Sequence, residues 1–358
     1  MWPLLLFVCV VAASSGQKPA ASTDAEKFDA ARDFVRARNA RDYAINTPNG
    51  IDDAKYVEVG GIQQWVTIRG DDRNNPVVLF LHGGPGDATN PWGYAGFRLW
   101  LKHFTVVQWD QRGAGRTFGK NRDVPREAIT IARMTQDGVE LAGLLRKQLG
   151  KDKIVLVGHS WGSILGVHMV KARPELFYAL VGTGQVGDPA TNYAVAYREL
   201  LKKAAALEDE RALGELHEVG PPPYADGRGY GVQRRWSNFF EGADAFIASM
   251  MGFALAAPGY DLRDVNDWFD GQIVSQQLVP QTSALEARTL AGDFAVPVFV
   301  IQGAEDFTTP TSLARSFVDS IRAPAKAFIT IEGGHFAVFM KTSAFLDQLV
   351  ARVLRLTR

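Results

Sequence analysis

Ile154-Val155-Leu156-Val157-Gly158-His159-Ser160-Trp161-Gly162-Ser163-Ile164-Leu165-Gly166-Val167-His168-Met169-Val170 is the stretch on which the fold turns. Its first four residues form an apolar run with no polar break, which suits a strand covered on both faces. A glycine-bounded pentapeptide follows, and then an apolar segment that reads as a helix. The order strand, tight turn, helix sets the central serine on a strained backbone with no side chain crowding it. An isolated Gly-x-Ser-x-Gly recurs by chance as an ordinary glycine-rich turn. The strand before it and the helix after it make Ser160 a candidate nucleophile.

Outward from this segment lie similar apolar runs at residues 77–81, 104–109, 296–301 and 327–331, with helix-like segments between them, such as 135–149 and 163–172. Alternating β and α elements predict a doubly wound, mostly parallel sheet that binds ligands beyond the carboxyl ends of its strands. Two β-rich runs flank Gly60-Gly61, so a hairpin places an antiparallel edge at the start of the sheet. Residues 186–288 break the alternation with helical runs and a Pro221-Pro222-Pro223 stop, and they read as an inserted helical cap. The catalytic core is then 51–185 with 289–358. Residues 23–50 form a helical arm, in which Phe28, Ala31, Phe34 and Val35 at helical spacing predict an amphipathic face.

A serine hydroxyl is a weak nucleophile until a base takes its proton and a carboxylate orients that base. In the α/β-hydrolase fold the chain order is serine, acid, histidine. Asp306 follows the 296–301 run, and His335 follows the 327–331 run, in that order. Aspartates after strands often cap helices, and histidines often satisfy a buried polar group. The joint order and placement favour Asp306 and His335 as acid and base. Glu305 is the alternative acid. His103, His159, His168 and His217 precede the turn, sit within it, ride its helix or fall in the cap, and do not fit the base position.

An acyl-transfer intermediate also needs donors for its oxyanion. The N–H of Trp161 is one. Leu81-His82-Gly83-Gly84-Pro85-Gly86 supplies the other through Gly83 or Gly84, whereas Pro85 has no N–H and stiffens the loop.

His82-Gly83-Gly84-Pro85-Gly86, Asp110-Gln111-Arg112-Gly113-Ala114-Gly115-Arg116-Thr117 and Gly158-His159-Ser160-Trp161-Gly162-Ser163 together resemble the three ordered motifs of the proline iminopeptidase family of serine peptidases. The likeness runs from the first hairpin to the C-terminus. It implies an α/β-hydrolase that needs no metal or other cofactor and removes N-terminal residues, often proline, from small peptides. The glycines of the 110–117 segment can equally serve only to turn the chain beneath the site. Family members bind the substrate amine with glutamates, one of them shortly after a Trp-Ser pair. Trp236-Ser237-Asn238-Phe239-Phe240-Glu241 resembles that stretch with one extra residue, which makes Glu241 a candidate ammonium partner; a solvated surface glutamate is the alternative. The family's Glu-Asn-His-Tyr-Phe motif is missing, and Asp261, Asp264, Asp267 and Asp270 nearby do not match it.

The same residues would equally serve a carboxylesterase or lactonase, or a ligand-binding protein that has kept the fold without turnover; the complete set of residues argues against the last. There is no His-Glu-x-x-His, cysteine cluster, phosphate loop or dinucleotide fingerprint. Enzymes of this fold that act on halides or epoxides carry aspartate at the nucleophile position, which here is serine.

At 358 residues, 46% hydrophobic and 22% charged, the chain can bury a large core. Thirty-nine Lys and Arg balance thirty-nine Asp and Glu, so no net field favours nucleic acid or an anionic membrane, and a small peptide or ester is the expected partner. No pattern implies an oligomeric state. Residues 1–22 read as a signal peptide for export, with an apolar run too short to span a bilayer. The single cysteine, Cys9, lies inside that run.

Overall fold

The computed structural model describes residues 23–357, so the expected signal peptide lies outside the described residues. The continuous apolar runs form strands because both faces of the sheet are covered. Among the described residues, one eight-stranded sheet contains β1 (Ile51–Val59), β2 (Ile62–Gly70), β3 (Val77–Leu81), β4 (Thr105–Trp109), β5 (Ile154–His159), β6 (Phe177–Thr183), β7 (Val298–Gly303) and β8 (Lys326–Ile331). Their spatial order is β1-β2-β4-β3-β5-β6-β7-β8. The hairpin turns through Gly60 and Gly61, both at positive φ, and makes the antiparallel edge; from β4 to β8 every pairing is parallel.

Strand β3 shows why its run has no polar break. Val77, Leu79 and Leu81 enter the core on one face together with Leu156, Ile164 and Leu165, while Val78 and Phe80 enter the other with Trp100, Val157 and Phe345. All five are buried, and each contributes about 1.5–3 kcal/mol of transfer free energy. Strand β6 lies outside the strands expected from the sequence: Tyr178 and Gly182 interrupt its apolar run, and only Arg173 and the turn Pro174–Leu176 separate it from the helix Trp161–Ala172. Strand β7 begins at Val298 rather than at residue 296, because Pro297 has no N–H for the ladder; its carbonyl instead accepts from Leu180 N at 2.9 Å.

Between β6 and β7 the chain forms a helical insert running from Asn192–Ala206 to Ala287–Leu290. Part of it packs through Tyr197, Leu200 and Trp236 onto Phe307 of the loop after β7. The arm is helical over Asp24–Asp42 and starts at a capping box of Thr23 and Glu26. Its expected apolar face is not what docks it: Phe28 and Phe34 are 53% and 68% exposed. The helix is held by polar contacts at its far end, where Asn39 Nδ2 donates to Tyr94 Oη at 2.8 Å and to Ala256 O at 3.1 Å. No helix among the described residues is long and apolar enough to cross a membrane.

Candidate active site

Ser160 stands between β5 and the helix Trp161–Ala172 at φ 55° and ψ −122°, a conformation that non-glycine residues rarely adopt. Its N–H donates to Thr183 O at 3.0 Å, and its carbonyl accepts from Ser163 Oγ at 2.6 Å, so both neighbours pin the strained residue. The glycines of the turn are needed for close approach: a Cβ on Gly162 would lie 2.1 Å from Leu81 O. The helix therefore starts directly against the end of β3, where the glycine-rich loop begins.

That loop lies against the serine. A Cβ on Gly83 would lie 3.0 Å from Ser160 Cβ. Among the described residues the N–H groups of Gly83 and Trp161 have no hydrogen-bond partner, as donors reserved for an oxyanion require. Gly84, at φ 105°, lines the cavity beside Pro85.

A side-chain relay fixes this loop to the turn. Trp161 Nε1 donates to Gln111 Oε1 at 3.0 Å, and Gln111 Nε2 donates to His82 O at 3.3 Å. His82 Nε2 in turn accepts from Gln111 N at 3.3 Å, so its Nδ1 carries the proton and donates to Gly83 O at 2.9 Å. Burial lowers the His82 pKa to about 4 and keeps the ring neutral in this role. Neither residue was marked as part of the site by its spacing in the sequence.

Asp306 and His335 meet at the carboxyl edge of the sheet. The Asp306 Oδ2 atom is 3.0 Å from His335 Nδ1. Asp306 also accepts from the N–H groups of Thr308 and Thr309 at 3.0 and 2.7 Å, from Thr309 Oγ1 at 2.8 Å and from Gln302 Nε2 at 2.8 Å. Burial raises its pKa, and the Thr308 and Thr309 donors oppose that rise. Burial and the charge of Arg234 hold His335 well below the usual imidazole range. A neutral ring that donates from Nδ1 to Asp306 has Nε2 as an acceptor. Glu305, the alternative acid, points away and pairs with Lys203 at 2.7 Å.

The backbone of His335 is clamped at both ends. His159 Nε2 donates to His335 O at 3.0 Å, and Glu241 Oε2 accepts from His335 N at 2.8 Å. The His159 and His335 rings are 4.7 Å apart between centroids. A Cβ on Gly184, next to Thr183, would lie 2.8 Å from His335 Cε1, so the histidine packs against the segment that binds Ser160 N.

Glu241 departs from its expected role as an ammonium partner. It is 8% exposed and does not line the cavity; its Oε1 accepts from Phe307 N at 2.8 Å and its Oε2 from His335 N. Both oxygens are committed to backbone donors. The glutamate braces the acid loop and the histidine loop together, and burial beside Asp306 raises its pKa to about 8. Gly334 makes room for it, since a Cβ there would lie 2.3 Å from Glu241 Cγ. Glu241→Ala would strand two buried N–H groups, each costing about 1–3 kcal/mol, and would loosen His335. The expected result is a loss of kcat of tenfold or more that is equal for substrates with a free amine and for their N-acetylated counterparts. A loss confined to free amines, in steady-state kinetics on matched pairs, would restore the ammonium role.

A cavity of ≈ 550 Å³ opens over Ser160, lined by Gly84, Pro85 and Trp161 from the core and by Tyr193, Tyr230 and Arg234 from the insert. Phe307, Thr308 and Thr309 of the acid loop form a further wall.

The α/β-hydrolase fold family matches residues 76–342, and the chain belongs to it. A probable aminopeptidase of Bacillus subtilis is 29% identical over 305 residues, 82% of this chain and 94% of that protein. A probable proline iminopeptidase of Streptomyces coelicolor is 32% identical over 167 residues, but these cover only 46% of this chain and 47% of the relative. Among solved structures, the proline iminopeptidase of Mycobacterium smegmatis superposes with a TM-score of 0.61 at 18% identity, over 85% of this chain and 99% of that one. An esterase of Exiguobacterium antarcticum superposes at 0.55 and 16% identity, over 84% and 99% of the two chains, and at these identities both likenesses concern the fold alone. Family and relatives together make the chain a hydrolase.

Proposed function

We propose that the chain is a serine hydrolase that cleaves small acyl substrates through an acyl-enzyme on Ser160. One observation carries this reading: the Asp306–His335 pair, 3.0 Å apart, lies at the same sheet edge as a serine held at positive φ beneath a cavity. Ser160 Oγ attacks the acyl carbon while His335 Nε2 takes its proton. The Gly83 and Trp161 N–H groups stabilise the oxyanion. His335 returns the proton to the departing nitrogen or oxygen as the bond to carbon breaks. Water, deprotonated by the same histidine, then releases the acyl group and restores the serine.

The Bacillus subtilis and proline iminopeptidase relatives support an aminopeptidase that removes N-terminal residues from small peptides. A second reading, carboxylesterase or lactonase, is favoured by the cavity: among the described residues no carboxylate lines it to receive a substrate ammonium. A panel of aminoacyl arylamides and short acyl esters separates the two. Turnover of the arylamides supports the peptidase. Hydrolysis of esters alone establishes the esterase, and hydrolysis of neither class rejects the serine hydrolase.

A further inference from the structure

The cavity over Ser160 contains one charged side chain among the described residues that line it, and that charge is positive. Arg234 projects from the insert helix Gly227–Phe240. Among the described residues that line the cavity there is no carboxylate, and the side chain of Arg234 makes no ion pair or hydrogen bond among the described residues. Among the described residues its guanidinium carbon lies 5.7 Å from the centroid of the Phe336 ring, next to His335. A contact with a ring face leaves the N–H fork of the guanidinium open.

The nearby acids do not neutralise it. Both Glu241 oxygens bind backbone N–H groups, and Asp306 is filled by Gln302, Thr308, Thr309 and His335. Asp87 feels the Arg234 charge but makes no ion pair with it, and burial raises its pKa to about 6. The rest of the lining is aromatic or uncharged, with Tyr193 and Tyr230 edge to face at 4.9 Å and Gln272 and Gln276 also on the wall. Arg234 is itself exposed and stands at the rim of the cavity, where an incoming planar carboxylate can take two of its N–H donors at once.

We infer that Arg234 binds a free carboxylate of the substrate while Ser160 attacks the acyl carbon. The inference rests on the serine hydrolase reading and narrows its substrate class to acyl compounds bearing a carboxylate. On the peptidase reading this is the C-terminal carboxylate of a di- or tripeptide; on the esterase reading it is the free acid of a dicarboxylate monoester. An ammonium group alone would meet the wrong charge here.

Matched substrates test this: a dipeptide against its C-terminal amide, and the nitrophenyl monoester of glutaric acid against nitrophenyl pentanoate. The wild type is expected to favour the acid of whichever pair it hydrolyses by tenfold or more in kcat/KM. Arg234→Gln is expected to raise KM for the acid by about 10- to 100-fold, the range of a lost charged hydrogen bond, and KM for the neutral partner far less, so that the preference for the acid collapses. Arg234→Lys should recover part of the loss. Equal effects of Arg234→Gln on acid and neutral substrates, or a wild-type preference for the neutral member, would overturn the inference. Hydrolysis of the neutral member by the wild type but not by Ser160→Ala upholds the serine hydrolase reading whatever Arg234 does. Binding of glutarate to the Ser160→Ala protein, measured by calorimetry with and without Arg234→Gln, reads the same site without turnover; affinity unchanged by the substitution would likewise overturn it.

Discussion

Ser160→Ala is expected to lower kcat by about 10⁴- to 10⁶-fold while leaving the protein folded. The fold survives because the contacts that hold residue 160 are made by its backbone: its N–H on Thr183 O and its carbonyl on Ser163 Oγ. Alanine meets the same difficulty as serine at φ 55°, so stability should change by less than about 1 kcal/mol. The activity falls because the substitution removes the hydroxyl that the proposed mechanism uses as its nucleophile. A residual rate above that of water is expected from the Gly83 and Trp161 donors, which the substitution leaves in place. A double variant, Ser160→Ala with His335→Ala, should be no slower than the single one, since nucleophile and base act as a unit. Turnover assays and labelling with a fluorophosphonate probe check this. Equal labelling of wild type and Ser160→Ala would reject Ser160 as the nucleophile.

The largest loss of stability is expected away from the chemistry, at Asp137. Its carboxylate is fully buried and accepts from Arg112 Nε at 2.7 Å, Arg133 Nε at 2.8 Å and Gln64 Nε2 at 3.0 Å. Arg112 is itself only 4% exposed and donates onward to Gly60 O at 2.9 Å, tying the hairpin turn to the segment after β4. Asp137→Ala leaves the Arg112 guanidinium buried with a single carbonyl partner, and breaking such a pair costs about 3–5 kcal/mol. The urea midpoint should fall accordingly. Arg112→Met with Asp137→Leu should recover much of the loss, because neither charge then remains stranded. A cost below about 1 kcal/mol for Asp137→Ala would show that water reaches the site and solvates Arg112.

This network also assigns the 110–117 segment. Its glycines and polar residues turn the chain and anchor it, as Asp110 does by accepting from Asn90 Nδ2 at 2.7 Å and Arg116 N at 2.9 Å. Only Gln111 reaches the site, through Trp161 and His82.

The features legible in the sequence are those whose chemistry is local. A strand covered on both faces must be apolar at every position, as residues 77–81 and 154–157 are, and a serine on a strained turn needs small neighbours. The order of Asp306 and His335 follows from the strands that carry them. The clamp on His335, the relay through Gln111 and the open guanidinium of Arg234 depend on which loops meet, and no spacing encodes that. Glu241 shows the limit most clearly: a glutamate soon after Trp236-Ser237 resembles an amine-binding residue, yet its carboxylate accepts from the backbone of Phe307 and His335, in space that Gly334 leaves open. The arm erred in the opposite direction. Its apolar spacing was real, but Asn39 holds it while Phe28 and Phe34 face outward.

The contact between Glu241 and His335 N also limits how this enzyme can be rebuilt. The insert of such a hydrolase invites treatment as an exchangeable cassette, cut out at its borders and replaced to install a new preference. In this chain one side chain of the cassette holds the backbone of His335, the base of the proposed mechanism. A graft without an acceptor at that point would arrive with a new pocket and a loosened histidine, and its poor turnover would be blamed on substrate fit. Engineering or natural drift can therefore vary the walls around Arg234 freely only while position 241 stays fixed.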